Sequence, residues 1–195
     1  MEKLANTQEP IDKLISKRWS PRAFNPEFII DKKSILSLFE AARWAPSCYG
    51  DQPWKFILFL KDDITPWTRA LNCLSIGNQN WAMDASILIV VCANKLFTHN
   101  NEPNRWSQYD TGASAENICL QASSLGLAAH QMGGFDEAKI RNLSNIPVQF
   151  DILSIIAIGK PLDESSFSAE QKERENLPRK RKELDEVYFN NKWNE

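Results

Sequence analysis

Ser86-Ile87-Leu88-Ile89-Val90-Val91-Cys92-Ala93 is apolar from its second residue to its last and dominated by Ile and Val. A strand with one wet face alternates apolar and polar side chains. A strand covered on both faces does not need to. The run therefore predicts a fully buried strand at the centre of a sheet. Ile152–Ile158 reads the same way, Lys55–Leu60 supplies a third apolar run, and Leu127–His130 is a shorter candidate leading into Gly133-Gly134.

Helical spacing fills the gaps. Ile11–Lys17 reads as a short helix closed off before Pro21, because proline and the residue ahead of it resist helix. Asp31 is a suitable N-cap for a helix to about Trp44, with Ile35, Leu38, Phe39 and Ala42 on one face. A longer helix, about Tyr109–Leu125, lines up Ala115, Ile118, Cys119, Ala122 and Leu125, with Gly126 as its C-cap. A further helix is expected over Asp136–Leu143. Strands and helices interleave, but not as regular βαβ units. The fold class is therefore α+β, a mixed β-sheet packed with helices rather than a doubly wound sheet.

The 195 residues suit one domain. From Ser165 to Glu195 the chain turns polar. Its late aromatics Tyr188, Phe189 and Trp193 favour an extension wrapped over the core or a partner rather than a solvated tail. A net charge of −2 gives no basic field for nucleic acid, and no apolar run is long enough to cross a bilayer. MEKLANTQEP at the start is not built like a signal peptide, so a cytoplasmic protein is expected. Cys48, Cys73, Cys92 and Cys119 have no C-x-x-C spacing, and with His99 and His130 they make no metal site; Cys92 and Cys119 read as small buried hydrophobes. Rossmann, phosphate-loop, H-E-x-x-H and G-x-S-x-G motifs are all absent from the sequence. A bound cofactor is then the natural source of chemistry.

Four clusters could hold one. In Arg18-Trp19-Ser20-Pro21-Arg22, an extended backbone would turn Arg18, Ser20 and Arg22 to one side, two guanidiniums and a hydroxyl suited to a phosphate or an anionic ring edge. Ala45–Trp54 holds a stiff loop between two prolines, with Ser47 and Gln52 as polar groups. Gln131–Phe135 contains paired glycines that permit close backbone approach to a flat ligand. Arg179-Lys180-Arg181-Lys182 is a basic run in the tail. Each has a plain structural explanation as a turn or a solvated charge cluster.

Taken in order, Arg18–Phe24, Ala-Ala-Arg-Trp-Ala-Pro-Ser (41–47) with Gln52-Pro53-Trp54, Gly126-Leu127 with Met132–Asp136, Gly159-Lys160-Pro161 and the basic tail resemble the nitroreductase family over nearly the whole chain. The resemblance implies an α+β core that dimerises through long helices, with FMN at the interface of a homodimer. Arg18, Ser20 and Arg22 then match positions that hold the phosphate, the ribityl chain and the N1/O2 edge of the flavin, and Trp19 accompanies them. Pro46, Ser47 and Cys48, followed by Gln52, match a loop reaching in from the other subunit. Asn78 matches an asparagine at the pyrimidine end. Met132, Gly133 and Gly134 match a segment whose N–H faces flavin N5, and Arg179 and Arg181 a basic pair on the phosphate. Gly50 and Trp81 depart from the family, standing where many relatives have Asn and some have Lys.

The implied activity is transfer of hydride from NADH or NADPH through FMN to a small electron-poor acceptor, a nitroaromatic, quinone or activated alkene, in ping-pong order. No side-chain acid or base is obligatory, because the flavin carries the chemistry. The alternative is a non-catalytic FMN store or sensor. His130 and Tyr49 lie near the site segments, and packing is the expected role of both.

Overall fold

The computed structural model describes residues 2–193. Helices α1 (Lys13–Lys17) and α2 (Lys32–Arg43) lead into strand β1 (Trp54–Leu60). Helices α3 (Ile64–Leu71) and α4 (Ile76–Ala82) precede β2 (Ile87–Asn94). Next come α5 (Ser107–Ser124), β3 (Ala128–Met132), α6 (Glu137–Ser144), β4 (Phe150–Gly159) and α7 (Ala169–Glu175). The sheet order is β1-β2-β4-β3.

β2 is buried along Ile87–Ala93, as its apolar run predicts. Its side chains alternate between two cores. Leu88, Val90 and Cys92 join Trp67, Cys73, Trp81 and Ile140 beneath α3, α4 and α6, while Ile87, Ile89 and Val91 join Leu38, Ala42, Ile118 and Ala122 beneath α2 and α5. β4 repeats this with Ile155 and Ala157 on one side and Ile156 and Ile158 on the other. Each fully buried Leu or Ile contributes about 1.5–3 kcal/mol of burial free energy, so these two strands anchor the three layers.

The sheet corrects one detail of the sequence reading. Every pairing among the described residues is antiparallel, where a mixed sheet is expected from the sequence. Continuous apolar runs report cover on both faces; they do not report strand direction.

Two helix ends position the site. The Asp31 carboxylate caps α2, accepting from the Ser34 amide at 2.9 Å. Across the α2–α5 contact, Ser114 Oγ donates to the Ala42 carbonyl (2.9 Å) and Asn117 to that of Ala41 (3.0 Å), fixing α5 against the helix that ends at the Pro46 loop. Cys92 and Cys119 are buried as expected, and burial pushes their thiols up to about 11 and about 12. No helix among the described residues is long and apolar enough to cross a membrane.

After Gly159 the chain stays on the surface. Between Ser165 and Trp193, Glu175 is the one buried residue, and Tyr188 and Trp193 are exposed. The tail is nonetheless attached: Arg179 donates to the Lys3, Ser16 and Arg18 carbonyls, and the Leu184 amide donates to Gln8.

Candidate cofactor site

The arginine segment is extended and its side chains alternate as predicted. Pro21 and Ala23 are buried, whereas Ser20 and Arg22 are exposed and Arg18 is half-buried. Arg18 Nη1 donates to Ser20 Oγ at 3.2 Å. The backbone between them is tied down from three directions. Arg179 Nη2 donates to the Arg18 carbonyl (2.9 Å), His130 Nδ1 lies 2.9 Å from the Pro21 carbonyl, and the Arg22 amide donates to Glu175 Oε1 (3.0 Å). The sequence placed two of these groups, Arg179 and His130, near the site. Glu175 lies in a charged run, Glu170–Glu175, where nothing marks one acid from another.

Trp19 points elsewhere. Its ring lies under the Lys3 ammonium, 4.6 Å from it, and helps line a second cleft of about 300 Å³ with Cys119 and Gly126–Ala129. Arg18 also faces Glu116 Oε1 at 3.3 Å, and Gln131 reaches the other Glu116 oxygen at 3.4 Å. Burial pushes the Glu116 carboxyl above the ordinary range, with Arg18 pulling it back.

A cleft of about 710 Å³ opens beside Arg18, between Ala5–Glu9 and the tail. Arg179, Lys180, Arg181 and Lys182 line it together with Glu116. Its size is within the range of small-molecule sites. Ser20, Arg22, Gly133 and Gly134 stand outside it. Arg179 differs from its expected role as a free phosphate ligand: three of its N–H groups are already spent on the Lys3, Ser16 and Arg18 carbonyls. Arg181 remains exposed and, among the described residues, bonds only the neighbouring Lys180 carbonyl.

β3 joins the arginine segment to the glycine pair. His130 stacks on Trp81, with centroids 4.5 Å apart, while Met132 is buried and Gly133 and Gly134 are exposed. Asn78 Nδ2 and the Ser75 amide both donate to the Gly134 carbonyl, at 3.0 and 2.9 Å. A Cβ at Gly134 would stand 2.8 Å from Ser75 Oγ and 2.9 Å from Asn78 Nδ2, so a larger residue there would displace these two side-chain ends. Asn78 and the glycine pair are thus brought together. Trp81 is buried between Phe24 and His130 and offers no charge at the surface. Burial is also the main reason that His130 holds its proton less readily than usual. His130 therefore packs, as expected, whereas Tyr49 is 86% exposed and, among the described residues, meets the rings of Phe97 and His99 edge-on.

The Pro46–Gln52 loop is built separately. The Cys48 amide donates to Asp110 Oδ2 (2.9 Å), the Gln52 amide to Ser47 Oγ (3.0 Å), and Thr98 bonds Asp51 through its amide (2.8 Å) and hydroxyl. Tyr49, Gly50 and Gln52 have φ of 55°, 66° and 50°. Gly50, which departs from the family's asparagine, therefore occupies a left-handed position that glycine and asparagine both tolerate. Asp110 and Glu116 are six positions apart on α5, about 9 Å of axial rise and on different faces of the helix. The loop and the arginine segment are accordingly anchored to different faces of α5.

The model of the nitroreductase family matches residues 15–72 and 70–160. A protein of Archaeoglobus fulgidus, named provisionally as an NADH dehydrogenase/NAD(P)H nitroreductase, is 31% identical over 160 residues, covering 80% of this chain and 87% of that one. An oxygen-insensitive NADPH nitroreductase of Helicobacter acinonychis is 26% identical over 194 residues (82% and 91%). A crystal structure described as an oxidoreductase containing FMN superposes with a TM-score of 0.89 at 34% identity, over 97% of this chain and 96% of that one. With the family model covering most of the chain, the protein belongs to the nitroreductase family.

Proposed function

We propose that this protein is an FMN-dependent NAD(P)H oxidoreductase, one nitroreductase-like domain working as a homodimer, which passes reducing equivalents to a small electron-poor acceptor in ping-pong order. The observation that carries this reading is the arginine segment: its backbone is bonded at residues 18, 21 and 22, leaving Ser20 and Arg22 exposed on one edge. Donors held in advance need little reorganisation when charge develops beside them. The donor set fits FMN. Arg18 and Arg181 supply cations for a phosphate, Ser20 a hydroxyl for the ribityl chain, and Arg22 a guanidinium for the N1/O2 edge. Met132–Gly134 and Asn78 stand at the ring end, where the glycine pair keeps the backbone accessible.

When bound, FMN would supply the redox chemistry for hydride transfer between NADH or NADPH and a nitroaromatic, quinone or activated alkene. Arg22 stabilises negative charge at the ring edge. Arg179 holds the Arg18 backbone and, through it, the phosphate end. The separation of the two residue sets on α5 supports a site completed by Pro46, Ser47, Cys48 and Gln52 of a second copy. Anaerobic visible absorbance tests the proposal. A flavin band near roughly 450 nm that bleaches with NADH or NADPH and returns with a quinone is the expected result. Protein that stays colourless after reconstitution with FMN overturns it.

A further inference from the structure

Glu175 is the last residue of α7, and its side chain is 2% exposed. A carboxylate is seldom buried this far without full compensation, because losing water costs a charged group several kcal/mol. Glu175 is only half compensated. Oε1 accepts the Arg22 amide at 3.0 Å, a bond that spans 153 positions of sequence. Oε2 has no hydrogen-bond partner among the described residues. The nearest cation, Arg174, keeps its Nε 3.7 Å from Oε1, beyond hydrogen-bonding distance. The Lys3 ammonium donates to the Glu175 backbone carbonyl rather than to the carboxylate.

Four residues further on, Arg179 holds the carbonyls of Ser16 and Arg18. The stretch 175–179 thus grips both ends of the arginine segment, by an acceptor at Arg22 and a donor at Arg18. The grip at Arg22 is the deeper one, since Glu175 is the single buried side chain between Ser165 and Trp193.

We propose that Glu175 is the positioning residue for Arg22, coupling the docking of the C-terminal tail to the electrostatics of the flavin edge. This rests on the FMN reading only for the identity of what Arg22 faces; the grip on the backbone does not depend on it. Glu175 touches no cofactor and acts through the Arg22 amide. Losing the carboxylate leaves a part-buried N–H without its acceptor and frees the residue that carries the guanidinium.

The test uses the full chain and two readouts. Amide hydrogen exchange of Arg22 is followed in apoprotein, and the flavin midpoint potential is followed in FMN-loaded protein. Glu175→Ala is expected to speed exchange at Arg22 about tenfold or more. It should also move the potential in the direction of Arg22→Ala, and the double variant should move it no further than Arg22→Ala alone. Glu175→Gln, which keeps an acceptor oxygen, should restore both readouts towards the parent. Should Glu175→Ala not fold, Glu175→Asp makes the same comparison with the charge retained and the oxygen drawn back. Unchanged exchange at Arg22, or additive potential shifts in the double variant, overturns the proposal. If Arg22→Ala leaves the potential of FMN-loaded protein unmoved, the role of Arg22 at the flavin edge falls, and exchange alone decides the role of Glu175.

Discussion

The arginine segment and the Pro46–Gln52 loop are both irregular and both exposed, yet they are held by opposite means. The loop holds itself with short-range bonds and left-handed residues, and α5 contributes one buried carboxylate, Asp110, beneath it. The arginine segment makes almost no local bonds. Its backbone is clamped by Arg179, His130 and Glu175, which lie more than a hundred residues away in sequence. Local turn chemistry is enough to present a loop to another molecule. Presenting Ser20 and Arg22 along one extended edge is done here by long-range ties to the backbone.

The largest expected effect is on the loop. Asp110→Ala strips the buried acceptor from the Cys48 amide and should cost about 2–3 kcal/mol in urea unfolding, whereas Asp110→Asn, which keeps an oxygen, should cost about 1 kcal/mol or less. An alanine variant as stable as the parent would mean that the loop is as self-sufficient as its sequence suggests.

The second prediction separates the two tail arginines. Arg181→Ala should weaken FMN about tenfold while leaving riboflavin almost unaffected, because in the proposed site its exposed guanidinium meets the phosphate alone. Arg179→Ala should weaken both ligands, because it releases the backbone carbonyls of Lys3, Ser16 and Arg18. Equal FMN-to-riboflavin ratios in the two variants would erase the distinction between clamp and ligand.

These outcomes also mark where the sequence is informative. Asp31 and the 3.6-residue spacing of Ile35, Leu38 and Ala42 locate α2, and the unbroken run from Ile87 locates the central strand, because both signals are local. α4 is hidden: Gly77, Asn78 and Asn80 are poor helix formers, and burial of Trp81 and Ala82 overrides them. α7 carries a visible signal in its Ser168/Gln171 capping box, but its charged composition gives no hint that Glu175 turns inward. Alternation shows that Ser20 and Arg22 share a side. It does not show what lies behind them, since the Arg22 clamp closes a loop of 153 residues.

His130 gives the arginine clamp a pH signature. Burial lowers its pKa in the folded state below the ordinary value of 6.5. The unfolded chain therefore takes up a proton first, and the contribution to stability is complete above 6.5 and lost as pH falls towards the folded value. The slope from one such proton is at most about 1.4 kcal/mol per pH unit. His130→Phe, which keeps a ring against Trp81, should flatten the stability profile just below pH 6.5. A profile identical to the parent's would show that His130 titrates alike in both states.

The smallest effect is expected at Glu116, whose half-exposed carboxylate pairs with Arg18 at 3.3 Å and faces the cleft of the basic residues. A pair this exposed is worth little in itself. Glu116→Gln should nevertheless tighten FMN about two- to fivefold by freeing Arg18 and removing an anion, and should leave riboflavin unchanged. Weaker FMN binding in this variant would mean that Glu116 orients Arg18 rather than competing for it.

The central claim is that the two differently held regions complete one FMN site across two subunits. Purified hybrid dimers test it most directly, with Arg22→Ala in one protomer and Ser47→Ala in the other. A shared site leaves one pairing intact, an unaltered arginine segment facing an unaltered loop, so each hybrid should bind one FMN with the affinity of the parent. Hybrids with no site of parental affinity would place both regions of each site within a single chain and contradict the account.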